Sequence, residues 1–221
     1  MRSEGTVKLP KSFWLIAPFA TWMVLMAVLP ATAWAYAVRT AVTAAMLAAG
    51  WRQGLETLDV RRETCLPSLV SSPLKSSVSR LKSSSLPGLL VGLVVFAIWI
   101  LPEQFDWAWY RKWCIIGEGG TQAVAEASAA MIAIRLIGSA FVISVAEELF
   151  FRKWLIGFAG FWPMAALFAV EHDRWLVAAI CGVAYGWLYL RKGLGAAIVA
   201  HVTTNLVLGL WVLKTGQWQF W

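Results

Sequence analysis

Charged side chains are scarce in this chain, since Asp, Glu, Lys and Arg make up only 14% of its 221 residues. A soluble globular domain averages roughly 25% charged residues. This scarcity, together with a hydrophobic share of 60%, argues against a soluble domain and indicates an integral membrane protein. The fifteen tryptophans agree, because many lie near the ends of apolar runs, where aromatic residues meet the membrane interface.

Residues that form disulfides or bind metals are also few. Cys65, Cys114 and Cys181 are widely scattered without CxxC spacing, so they indicate neither a disulfide framework nor a thiolate metal site. We interpret Cys181, inside an apolar segment, as a small packing residue. The net charge of +7 comes from Lys and Arg in short segments between apolar runs. This is the pattern of a membrane topology signal, and we expect no nucleic-acid partner.

Seven apolar segments are candidates for membrane-spanning helices. They lie at about 13–30, 33–50, 86–101, 127–150, 160–172, 176–190 and 194–213. The second contains Arg39 and the fifth is short. Although Ala31-Thr32-Ala33 resembles a signal-peptidase site, the first run is long and rich in aromatics, so we interpret it as a transmembrane helix.

The predicted fold class is an all-α, polytopic membrane helix bundle of about seven transmembrane helices with an intramembrane polar cavity. We treat residues 1–221 as a single integral membrane domain. Residues 1–126 provide the N-terminal spans and a polar cytoplasmic loop at 52–85, and residues 127–213 provide the C-terminal helical core, which contains the polar motifs described below. The serine- and proline-containing stretch from 52 to 85 predicts a mobile surface loop.

The orientation follows from Lys and Arg near the ends of the spans. Seven spans with a cytoplasmic N-terminus place four basic clusters on the cytoplasmic side, and the 102–125 loop on the outside. The clusters are Arg2, Lys8 and Lys11; the six basic residues of 52–85; Arg152 and Lys153; and Arg191 and Lys192. We therefore expect an integral membrane protein whose basic clusters face the cytoplasm; in a bacterium this would be the inner (cytoplasmic) membrane.

Three polar clusters interrupt the apolar pattern of the C-terminal half. They are "EELFFR" at 147–152, "FAVEH" at 168–172 and "HVTTN" at 201–205, and they contain the only two histidines of the chain. Helical spacing predicts that Glu148 pairs with Arg152, four residues later, while Glu147 points away from that pair. Helix rise places Glu147, His172 and His201 at one level, roughly 12–15 Å from the cytoplasmic face.

Each cluster also has a plain structural interpretation. The Glu148–Arg152 pair could hold helices together, His172 could mark a helix end, and His201 with Asn205 could join helices by hydrogen bonds. Glu147 is harder to explain in that way, because an uncompensated carboxylate inside a span is costly. Three such groups at one depth favour a functional site.

The ordered set EExxxR, FxxxH and HxxxN resembles the CPBP family of intramembrane glutamic proteases, which includes CAAX prenyl endopeptidases and bacterial Abi proteins. The resemblance covers about residues 127–213. Within the family, this chain is similar to the CAAX-protease-related membrane proteins that are encoded with exosortase systems. The resemblance implies that Glu147 is the general base that activates a water and that His172 positions or polarises that water. His201 and Asn205 would stabilise the oxyanion, and Glu148, Arg152 and Phe168 would provide structural support.

The expected function is therefore an intramembrane endopeptidase without cofactor or metal, acting on a membrane-anchored protein or peptide in the lipid bilayer. The substrate could be prenylated, or a precursor with a C-terminal sorting helix or leader peptide. A zinc protease using Glu147, His172 and His201 is a rival, although the sequence lacks HExxH. A proton relay in a transporter, or a non-catalytic immunity or scaffold protein, is the other alternative.

Overall fold

The computed structural model describes residues 9–53, 73–116 and 128–220, which form helices and no strand. The helices are α1 (Lys11–Val28), α2 (Ala33–Arg52), α3 (Pro73–Gln104), α4 (Ala108–Cys114), α5 (Ala129–Ala159), α6 (Phe161–Val170), α7 (Trp175–Lys192) and α8 (Leu194–Thr215). A short 3₁₀ turn, Trp218–Phe220, follows. The predicted helical membrane fold is thus confirmed.

Helices occupy all seven predicted segments, but four of them are long and apolar enough to cross a membrane by length and composition. These four are Lys11–Val28, Ser85–Gln104, Ala129–Ala159 and Leu194–Thr215. Helix α6 has only ten residues and is a shorter apolar helix. At about 1.5 Å per residue it reaches only part of the way through a bilayer.

The predicted loop at 52–85 was wrong at its C-terminal end. Helix α3 begins at Pro73, whereas residues 54–72 lie outside the described ranges. Pro fits the first turn of a helix because its missing N–H has no partner there, and the Ser, Lys, Arg and Leu residues that follow do not interrupt a helix. The tail at 1–8 and residues 117–127 are likewise outside the described ranges.

Two glycines start the helices that carry the C-terminal motifs. Gly160 precedes α6 with φ +95°, and Gly193 precedes α8 with φ +88°. Glycine accepts these angles because it has no Cβ. Gly193 forms the turn between α7 and α8, and Pro163 lies in the first turn of α6. The chain also leaves the helix between α6 and α7, at residues 171–174.

One end of the bundle collects the basic helix ends. Trp14 at the start of α1 donates a hydrogen bond to Gln53 after α2, and packs in a cluster with Leu149 and Leu194. Lys11, Arg52, Arg191 and Lys192 lie at these helix ends, which we call the basic end. At the opposite end, Gln104 of α3 donates to Gln217.

Glycines let the helices around the site approach closely. A Cβ at Gly92 of α3 would lie 2.5 Å from the Ala200 carbonyl oxygen of α8, and one at Gly88 would lie 2.7 Å from that of Ala196. Gly182 and Gly186 of α7 lie against α6, where added Cβ atoms would meet the side chains of Phe168, Met164 and Phe161. Both pairs are small-xxx-small patterns, which allow membrane helices to pack backbone against backbone.

Candidate active site

Helix α5 carries the two glutamates between two stretches of π-helix. The stretches are Gly138–Ile143 and Glu148–Leu155, and Ser144–Glu147 between them is α-helical. The wider π turns, with i→i+5 bonds, are rare and are frequently found at functional sites. They change the angular spacing of side chains along α5 from the regular 3.6-residue period that the sequence prediction assumed.

Glu148 lies at the centre of a buried charge network. Its Oε1 atom is 2.9 Å from Nη1 of Arg152 and accepts a hydrogen bond of 2.8 Å from Nδ1 of His201. The side chains of Glu148 and Arg152 are both 0% exposed. The structure therefore contains the Glu148–Arg152 pair predicted from spacing, and adds His201 to it.

Aromatic rings enclose the cation of this network. The Arg152 guanidinium carbon lies 4.3 Å from the centre of the Phe168 ring and 5.3 Å from that of Tyr185. Tyr185 also stacks on His201, with ring centres 5.0 Å apart. Its hydroxyl donates to Thr204, which is also bonded to the carbonyls of Gly92 and Ala200.

Glu147 is 7% exposed, and its Oε2 atom is buried without a hydrogen-bond partner. The same atom is 3.8 Å from Nε2 of His201, beyond direct hydrogen-bond distance. Because the carboxylate of Glu148 accepts from Nδ1, a neutral His201 ring carries its proton there and presents a lone pair at Nε2. Glu147 and His201 thus face each other across a gap of the size that one water can bridge.

His172 lies in the break between α6 and α7. Its Nδ1 atom donates a 2.8 Å hydrogen bond to the Phe168 carbonyl, which can only accept, so a neutral ring has its lone pair at Nε2. The ring packs on Phe168 at 4.7 Å and edge-on to Trp99 at 5.8 Å. The proposed water-positioning histidine is therefore held in one orientation by backbone and rings.

Asn205 is anchored to helix α5. Its side-chain nitrogen donates to the Ser139 carbonyl and to the Ser144 hydroxyl, each at 3.0 Å. The Ser144 hydroxyl in turn donates to the Ser139 carbonyl at 3.0 Å. Both N–H groups of Asn205 are thus engaged, and a donor role toward an oxyanion requires that one of these bonds is exchanged for the substrate oxygen.

A cavity of about 190 Å³ joins these groups. Glu147, His172, His201 and Asn205 all line it, so the structure brings together the four residues that the sequence analysis singled out. Its wall also includes Trp99, Ser139, Phe168, Cys181, Tyr185, Thr204, Leu208 and Phe220. Phe220, which is 6% exposed, packs against Trp211 at 5.5 Å and brings the C-terminal turn to the cavity.

Sequence reasoning missed several polar members of the site. Ser139 and Ser144 stand out as hydroxyls within the apolar run of α5, and Thr204 lies inside the "HVTTN" motif, so these signals were present. Tyr185 gave none, because an aromatic residue in an apolar helix is ordinary. Glu171, next to His172, also has a buried Oε2 atom without a partner. Among residues 9–53, 73–116 and 128–220, no three His, Cys, Asp or Glu side chains form a group that could hold a metal ion.

Comparison with known families finds a match in the region of the chain that contains this site. Residues 128–207 match the model of the family described as type II CAAX prenyl endopeptidase Rce1-like. The matched region contains all three motifs and the Ser139 and Ser144 anchors. No curated protein and no solved structure matches the chain significantly.

Proposed function

We propose that this protein hydrolyses a peptide bond near a membrane-anchored protein terminus, with Glu147 as the general base. Residues 128–207 match the Rce1-like family of type II CAAX prenyl endopeptidases, and this match supports the proposal. Family membership implies a CAAX-type intramembrane protease. Beyond this, we propose the catalytic role of each residue and the nature of the substrate. The observation that carries the proposal is the contrast between two adjacent carboxylates: Oε1 of Glu148 is shared between Arg152 and His201 away from the cavity wall, while Glu147 lines the cavity and its Oε2 has no hydrogen-bond partner.

The first step is activation of water. A water between Oε2 of Glu147 and Nε2 of His201 would contact both atoms, because their separation of 3.8 Å leaves room for two hydrogen bonds at an angle. Glu147 takes one proton from this water as its oxygen attacks the carbonyl carbon of the substrate. The same carboxyl group then returns the proton to the leaving nitrogen, so that Glu147 ends the reaction as the carboxylate with which it began.

The second requirement is stabilisation of the oxyanion. A neutral His172 presents a lone pair at Nε2, so it can hold the attacking water but cannot donate to an oxyanion, whereas Asn205 of α8 can donate. His201 becomes a donor at Nε2 by accepting the second proton of the attacking water, and it gives this proton up when the products leave. Donors placed in advance in a site that excludes bulk water lower the barrier most effectively. We assign oxyanion stabilisation to His201 and to Asn205, the latter after exchange of one bond to α5.

The test is a quantitative survey of protein termini in native membranes from cells that express the wild type or Glu147→Gln at equal level. We expect a defined set of new termini with the wild type and its loss with Glu147→Gln. The matched control is Glu171→Gln, which makes the same chemical change beside His172. If Glu171→Gln rather than Glu147→Gln removes the termini, the base is Glu171. If the wild type and both variants give the same set of termini, the protein is a scaffold or immunity factor and not a protease.

A further inference from the structure

Arg39 is a buried cation that the proposed reaction does not use. It lies in the seventh position of α2 and is only 8% exposed. Among the described parts of the chain, no carboxylate lies within ion-pairing distance of it. A guanidinium inside a membrane protein is costly without an anion, and such residues usually serve a function.

A second guanidinium lies beside it at the same depth. Arg39 and Arg135 each follow the first residue of their helix by six positions, or about 9 Å. Their guanidinium carbons lie 5.5 Å and 5.0 Å from the centre of the same Tyr36 ring. Arg39 also lies 5.7 Å from the Trp22 ring. Two like charges held around one ring repel each other, so an anion beside Arg39 would lower the cost of holding them together.

The unsatisfied atoms of this cluster are mainly donors. Nε of Arg39 is buried without a hydrogen-bond partner, and so are the hydroxyl groups of Thr40 and Thr43 on the same helix. Contacts with aromatic rings offset part of the cost of a buried cation, but they leave N–H groups without an acceptor. The chemistry that completes the cluster is a group with several acceptor oxygens and a negative charge, such as a carboxylate or a phosphate.

The cluster adjoins the catalytic cavity through Tyr36 and Ser139. The Tyr36 hydroxyl donates to the Arg135 carbonyl at 3.4 Å and interacts with the side chain of Ser139, which lines the cavity. Gly138 permits this approach, because a Cβ there would lie 2.5 Å from the Thr40 hydroxyl. The arginines are thus neighbours of the reaction centre, on the side away from the basic end.

We propose that Arg39, with Arg135 and Tyr36 beside it, binds the C-terminal carboxylate of the substrate a few residues beyond the scissile bond. This inference rests on the proposed function, because only an enzyme that cleaves near a C-terminus presents such a group at this position. A lipid phosphate offers the same chemistry. However, Arg39 is only 8% exposed and contacts Tyr36, which reaches Ser139 of the cavity wall, and this favours the substrate.

The experiment measures binding separately from catalysis. A fluorescent peptide with an S-farnesyl cysteine followed by three apolar residues is prepared as the free acid and as the C-terminal amide. Binding is measured in phosphatidylcholine nanodiscs with Glu147→Gln protein, so that no turnover occurs, in the presence and absence of Arg39→Gln. The matched control is Arg191→Gln, the same change at an exposed residue of the basic end.

We expect the free acid to bind roughly ten- to a hundredfold more tightly than the amide, as for a hydrogen-bonded charge pair. Arg39→Gln should remove this preference by weakening only the acid, Arg39→Lys should retain part of it, and Arg191→Gln should leave it unchanged. Thermal unfolding verifies that the variants are folded.

Equal binding of acid and amide to the Arg39 protein, or no binding of either, overturns the proposal. The proposal is also overturned if Arg39 stabilises the protein against thermal unfolding only in phosphatidylglycerol nanodiscs, because the bound anion is then a lipid phosphate. Cleavage of the free-acid peptide by protein that retains Glu147 is measured in a separate experiment. Its absence would count against the proposed protease, whereas the binding preference alone decides the carboxylate site.

Discussion

At the scale of single residues, two adjacent glutamates have opposite surroundings. Glu148 has no exposed surface and shares one oxygen between Arg152 and His201. Neither Oε2 atom has a hydrogen-bond partner, but only Glu147 lines the cavity, and no arginine or lysine of the described residues pairs with it. A buried ion pair contributes little net stability compared with apolar residues, but the loss of one partner leaves the other charge uncompensated. The two positions should therefore respond differently to the same substitution.

We expect Glu148→Gln to destabilise the protein by about 3–5 kcal/mol, because Arg152 would keep its charge without a counter-ion. Glu147→Gln, the matched change one residue earlier, should leave the unfolding temperature unchanged or raise it, because it removes an unpartnered charge. Thermal unfolding of both variants in the same detergent measures the difference. An unchanged unfolding temperature for Glu148→Gln would show that the Glu148–Arg152–His201 network does not hold the fold together.

At the scale of helices, the site depends on close contact between α3 and α8. Gly92 lies against the backbone of Ala200, next to His201, and its carbonyl oxygen accepts a hydrogen bond from Thr204. Thr204 also accepts from Tyr185, which stacks on His201. Any displacement of α3 from α8 would therefore move the ring that faces Glu147.

Gly92→Ala should cost about 1–3 kcal/mol of stability, because its Cβ would lie 2.5 Å from a backbone oxygen and the helices would have to separate. It should also reduce cleavage, since His201 would shift. Gly157→Ala is the control: no atom lies within 4 Å of its new Cβ, and alanine favours the helix by about 0.5–1 kcal/mol. Unfolding temperature and cleavage rate are measured for both variants, and equal effects would contradict the close-packing argument.

At the scale of the whole molecule, the apolar runs predicted most of the helices, and the three motifs singled out four residues that the structure places around one cavity. Hydrophobic runs mark helices because the membrane leaves few other structures possible. The spacing of Glu148 and Arg152 predicted their contact, since residues four apart share a helix face. These inferences depend on local patterns, and local patterns are visible in one sequence.

What the sequence could not predict depends on tertiary contacts. The hydrogen bond between His201 and Glu148 joins residues that are 53 positions apart, on two different helices. The hydrogen bond from Asn205 to Ser139 joins the same two helices. The π-helical stretches of α5 have no composition signal. The extension of α3 back to Pro73 runs against its polar composition. The positions of the helix ends were therefore less predictable than the presence of the helices.

The orientation of the bundle gives a last prediction. Lys11, Arg52, Arg191 and Lys192 mark the basic end, and Lys and Arg are retained on the cytoplasmic side during insertion. We expect Gln53→Cys, next to that end, to react with a membrane-impermeant maleimide only after bacterial spheroplasts are permeabilised. Asp106→Cys, in the exposed turn after α3, should react in intact spheroplasts. Both are made after Cys65, Cys114 and Cys181 are replaced by alanine, and the reverse labelling would place the basic end outside.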